Sequence, residues 1–146
     1  MAGRIYSAHV SKNLTGSGGA AFALYITAPA TNAINLLQVQ VGGDFDGTAG
    51  DDPVRARLVR ITSPASGTAI TPSKHDTRNS LASGATVVGG AVTGSAVADS
   101  EVWKTDVNPK DAYRPAVTIA PSETWAIELT PGATDVVATV SMIWEE

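Results

Sequence analysis

His9 and His75 are the only histidines in a chain of 146 residues that contains no cysteine. The missing cysteine removes thiol nucleophiles, Cys-based zinc sites and disulfide frameworks together. A Ser-His-Asp relay would need one imidazole beside an activated serine, and no Gly-x-Ser-x-Gly elbow accompanies either. His9 lies in an alternating stretch and His75 in a polar loop, the settings of solvated imidazoles. The glycine-rich segment 16–19 lacks the lysine and following helix of a phosphate loop. Fourteen Asp and Glu supply carboxylates, including Glu101, Asp106, Glu123 and Glu128, yet no local pattern selects the facing pair that glycoside cleavage needs. The chain reads as non-enzymatic.

Asp44, Asp46, Asp51 and Asp52 share one Gly-rich loop and could offer hard oxygen ligands to a calcium ion. The closing glutamate and flanking helices of an EF-hand are missing, and Asp and Gly are also ordinary turn residues. No metal and no cofactor is assigned. Arg55, Arg57 and Arg60 gather three of the ten Lys and Arg residues within one stretch. They read either as a solvated strand face guarding an edge or as a cationic stripe meeting an acidic neighbour. Trp103, among polar neighbours, is a possible surface aromatic for stacking on a sugar ring, whereas Trp125 and Trp144 read as core anchors. Asn13-Leu14-Thr15 matches a glycosylation sequon without a supporting secretory signal.

Net charge is −4, which argues against a nucleic-acid partner. No apolar run approaches the ~20 residues of a membrane-crossing helix. The opening residues, MAGRIYSAHVSKN, carry no apolar segment of a leader peptide.

Positioning these residues falls to short strands. Eight prolines and fourteen glycines punctuate a chain rich in Ala, Thr, Val and Ser, with no helical periodicity. Residues 20–27 form a nearly continuous apolar run, expected to be a strand buried on both faces. Residues 34–41 end in alternation that puts Leu37, Val39 and Val41 on one face. In 54–62, Arg55 and Arg57 share a face and Leu58-Val59 breaks the alternation, as at a bulge or a change of exposed side. Residues 63–83 predict a short strand at 68–71 and one helical turn near 73–79, and 85–97 reads as close-packed backbone or a mobile loop. Trp125, Ile127 and Leu129 share one face, and Val136, Ala138, Val140, Met142 and Trp144 another, around a Pro131-Gly132 turn; a terminal hairpin is expected. The fold class is all-β: a single domain over 1–146, a jelly-roll-like two-sheet sandwich of about seven to nine short strands with little or no helix. Residues 1–12 are an extended N-terminal arm or an edge strand.

In order along the chain come a short first strand, a Gly/Ser break, the Ala33-Ile-Asn-Leu-Leu-Gln-Val-Gln run, the arginine-bearing strand, Gly67-Thr-Ala-Ile-Thr-Pro72, Ala82-Ser-Gly-Ala-Thr86 and a closing Met142-Ile-Trp-Glu-Glu146. This layout resembles small β-sandwich virion proteins of tailed bacteriophages. The resemblance implies a capsid decoration (cement) protein, assembled in the host cytoplasm and placed on the capsid surface. Its expected partners are the major capsid protein and itself as a homotrimer, with no membrane or nucleic acid. The contacts are expected at Arg4, Ile5 and Tyr6, which could add a strand to a neighbour's sheet, and at the Arg55, Arg57 and Arg60 stripe. The alternatives are a carbohydrate-binding adhesion module on the virion surface and a head–tail or tail component.

Overall fold

The structure, a computed structural model, describes residues 3–44, 54–78, 80–98, 100–107, 111–113 and 117–146, with the main chain alone at 43–44, 103–107 and 111–112. Its described residues form twelve strands and no helix: β1 Ile5–Leu14, β2 Ala21–Thr27, β3 Ile34–Asp44, β4 Val54–Ala65, β5 Thr68–Ala69, β6 Ser73–Lys74, β7 Thr86–Ala96, β8 Trp103–Val107, β9 Asp111–Tyr113, β10 Val117–Ile119, β11 Thr124–Thr130 and β12 Val136–Glu145. Eight of them have five residues or more; the others are short pairings at the sheet margins.

Two antiparallel sheets result. The front sheet runs β10-β3-β12-β1-β6, with β9 also on the far edge of β3, and the back sheet runs β5-β7-β2-β11-β4-β8. Each front strand turns alternate residues inward. Tyr6 and Ala8 on β1, Val39 and Val41 on β3, and Ala138, Val140, Met142 and Trp144 on β12 are buried. They meet Leu24, Ile26, Leu58, Trp125, Ile127 and Leu129 of the back sheet in one core. An all-β sandwich therefore follows from the alternation.

The back sheet carries a second core. Its strands β7, β2, β11 and β4 close on one another, because β7 pairs with β4 as well as β2. Tyr25, Val59, Ile61, Val88, Val92 and Ala126 are buried in that small barrel. Residues 20–27 are thus apolar on both faces for the expected reason: one face meets each core. The same holds at Leu58-Val59, whose pairing with β11 runs through without a shift, so the broken alternation marks two cores rather than a bulge.

One open alternative is decided and three local expectations are corrected. The segment 85–97 is close-packed backbone rather than a loop: it is β7, whose glycines let neighbours approach closely. A Cβ on Gly89 would stand 2.7 Å from Ile70 and 3.0 Å from Val10. Among the described residues of 73–79 there is no helical turn; β6 pairs with β1 there instead. The terminal hairpin does not form. β11 lies in the back sheet and β12 in the front, so their apolar faces meet across the core rather than side by side. Either arrangement buries the same residues, which is why alternation alone could not separate them. Finally, β3 slips by one residue against β12 between Ile143 and Trp144. That bulge turns Leu37 outward, 36% exposed, and seats Leu36 in the core.

Candidate functional site

The outer face of the front sheet is built from the residues between the core positions. On β1 these are Ser7, His9, Ser11 and Asn13; on β12, Val137, Thr139, Ser141 and Ile143; on β3, Asn35, Leu37, Gln38 and Gln40. The register sets them in rows, with His9 beside Ser141 and Ser11 beside Thr139, and Gln40 beside Ser141 and Gln38 beside Ile143. Ser11 and Thr139 join hydroxyls at 3.3 Å, and Thr118 Oγ1 donates to Asn35 Oδ1 at 2.9 Å on the β10 side. No Lys, Arg, Asp or Glu occupies these central rows; Glu145 and Asp44 lie at the ends of their strands. Three of the exposed large apolar side chains, Ile5, Leu37 and Val137, are on this sheet, at 37%, 36% and 42% exposure. An extended uncharged surface loses little solvation energy when covered, and this one combines short hydroxyl and amide groups with apolar contact.

Charge gathers on the other side of the molecule. Arg57 lies opposite Glu128 in the β4–β11 ladder. Its Nε reaches Glu128 Oε1 at 2.6 Å and its Nη2 reaches Oε2 at 3.1 Å, a two-pronged pair. Glu101 adds a third contact at 3.5 Å. Arg55, Ala56, Arg57, Glu128 and Thr130 line a shallow depression of about 200 Å³. Arg60 does not extend this row. Three residues beyond Arg57 on an unshifted strand, it projects from the opposite face and pairs with Glu123 at 2.8 Å. The expected stripe is therefore split between two faces, and Arg57 and Arg60 satisfy acids of their own chain. Burial works to raise the Glu123 carboxyl, but hydrogen bonds from Arg60, Trp125 and the Ala120 amide outweigh it and hold it below its ordinary value.

The three N-terminal contact residues part company as well. Arg4 exchanges two main-chain hydrogen bonds with Glu146, at 3.0 and 2.9 Å. Ile5 is outward, but Tyr6 is fully buried and belongs to the core. Its ring stacks on Trp144 with centroids 6.1 Å apart, and its hydroxyl donates to the Leu81 carbonyl at 3.2 Å. Tyr6 is thus removed from any docking surface, since its even position on β1 points inward. Trp125 and Trp144 are core anchors, as expected. Trp103 begins β8 on the edge of the back sheet; its side chain lies outside the described residues, as do Asp46, Asp51, Asp52 and the side chain of Asp44. His75 is exposed, and its amide donates to the Ile5 carbonyl at 3.0 Å.

Comparison of the chain with protein-family models, with curated proteins and with solved structures found no match. Function is to be read from this geometry.

One polar cluster had no sequence signal. The Glu146 carboxylate accepts hydrogen bonds from Ser83 Oγ, from the Gly84 and Ala85 amides at 3.0 and 3.1 Å, and from Trp144 Nε1 at 3.1 Å. Burial pushes its pKa up, yet these four donors prevail and the group sits below the ordinary carboxylate range. It fastens the 83–85 loop to β12, and only the fold brings residues so far apart in sequence together.

Proposed function

We propose that this chain is a non-enzymatic structural protein that works by laying the outer face of its front sheet on a protein neighbour. At the finer level, we read it as a virion component, a decoration protein set across junctions between major capsid subunits. One observation supports docking above all: the central rows of the front sheet are uncharged in a chain that carries ten basic and fourteen acidic residues. A face left free for solvent commonly takes Lys and Glu. The resemblance to small phage β-sandwich proteins supports the finer reading.

Mechanically, a stiff sandwich bridging two shell subunits adds contacts that must break before the subunits separate. Several copies on one lattice act together, so modest contacts suffice. The test is reconstitution on undecorated capsids, with copy number and capsid melting temperature measured. Many copies per particle and a raised melting temperature are expected. A paired Thr139→Glu and Gln40→Lys variant, which keeps its fold, should lose most of this binding. Failure of the wild type to bind, or a single copy per particle, would refute decoration.

A further inference from the structure

The direction of each main-chain group on β1 is fixed by its ends. Arg4 and Glu146 exchange both of their hydrogen bonds, and Ile5 turns its carbonyl the other way, to the His75 amide. Even-numbered residues of β1 therefore direct N–H and C=O toward β12, and odd-numbered ones direct theirs toward the sheet edge. β6 covers that edge only at Tyr6 and Ser7. Pro72, which has no N–H to offer, is where the covering chain leaves. From residue 8 to residue 14 the edge is open: among the described residues, the main chain of His9, Ser11 and Asn13 has no partner on that side.

Open edges are ordinarily blunted by an outward lysine, proline, a bulge, brevity or an inward-pointing charge. Of these β1 carries only the last, at Lys12. It pairs with β12 over its whole length, residues 5–14, without a register shift. Its lysine, Lys12, turns inward and donates to the Gly90 carbonyl of β7 at 2.8 Å. By contrast, the far edge of β3 is covered by β10 and β9, and that of β7 by β5.

We infer that the open β1 edge pairs with the β1 edge of a second copy of this chain, antiparallel and about a two-fold axis at Ser11. The window itself selects that partner. Its midpoint is Ser11, so His9 meets Asn13 of the second copy, Ser11 meets Ser11, and about six main-chain hydrogen bonds close. No like charges oppose one another, and both β6 segments fall outside the window. Pairing joins the two front sheets into one continuous sheet and doubles the uncharged face. A strand-edge contact of this length belongs to the small interface class, so the dimer is weak and concentration-dependent. It replaces the trimer implied by the family resemblance, and it stands whether or not the chain decorates a capsid.

Sedimentation of the purified chain tests it without any capsid. Dimer is expected to appear as concentration rises from about 1 µM to about 1 mM, in the range of small interfaces. Ser11→Lys and Ser11→Asp each place like charges directly opposite across the axis. Each alone should weaken dimerisation about tenfold or more, and mixing the two should restore a heterodimer. Far-ultraviolet circular dichroism confirms that both variants stay folded. A wild type that remains monomeric to about 1 mM, a trimer, or variants that dimerise unchanged would overturn the inference.

Discussion

The two sheets solve the same problem in opposite ways. The back sheet curls until β7 meets β4 and gives its outer surface a core of its own, with Tyr25, Val59, Ile61 and Val92 inside. What remains outside is the tightly paired Arg57–Glu128–Glu101 group. The front sheet stays open and keeps its outer rows uncharged and solvent-facing. The back sheet closes four of its strands on one another and leaves β8 at its margin; the front sheet leaves a broad uncharged surface and the β1 edge uncommitted. In a small all-β protein, the sheet that does not close on itself is the place to look for a partner.

That contrast can be broken or sharpened by substitution. The largest effect is expected in the shared core. Trp144→Ala removes the largest fully buried side chain and its stack on Tyr6, and should cost about 3–5 kcal/mol in urea unfolding. Val59→Ala, in the smaller barrel core, should cost about 2 kcal/mol or less. Equal losses at the two sites would remove the distinction between a main and an accessory core.

Glu146→Gln comes next. Because the folded carboxyl lies below its ordinary value of 4.5, its contribution to stability is complete above that pH and fades as pH falls through the lowered folded value. The wild type should therefore lose stability on acidification more steeply than the variant. Parallel stability curves between about pH 5 and 3 would show that the Ser83–Ala85 clasp contributes nothing. The smallest effect is at the half-exposed pair on the back sheet. A double-mutant cycle on Arg57 and Glu128 should give a coupling of about 1 kcal/mol or less, screened by salt.

The patterning of apolar residues was readable because each strand registers its burial locally. Val136, Ala138, Val140, Met142 and Trp144 announce an inward face whatever lies opposite. Which strand lies opposite is a non-local choice, and there the reading failed: β11 and β12 oppose each other across the core. Leu37 misled for a related reason, since a single inserted residue reverses every side chain after it and leaves no compositional trace. The arginine row was legible at Arg55 and Arg57 and lost at Arg60, where parity outweighs proximity in sequence. The uncharged front face was present in plain view as Ser7, His9, Ser11 and Asn13 alternating with Tyr6, Ala8, Val10 and Lys12. Its significance emerged only when β3 and β12 brought matching rows beside it.

The partnership of β1 with β12 also governs the order of events when the chain is made. β1 has for its principal ladder β12, more than a hundred residues later in the chain. The front sheet can therefore assemble only once β12 has been made, and closing so long a loop makes that step slow. Until then, β1 must be shielded or remain soluble unaided, and the hydroxyl and amide groups along its outer side suit it to that wait.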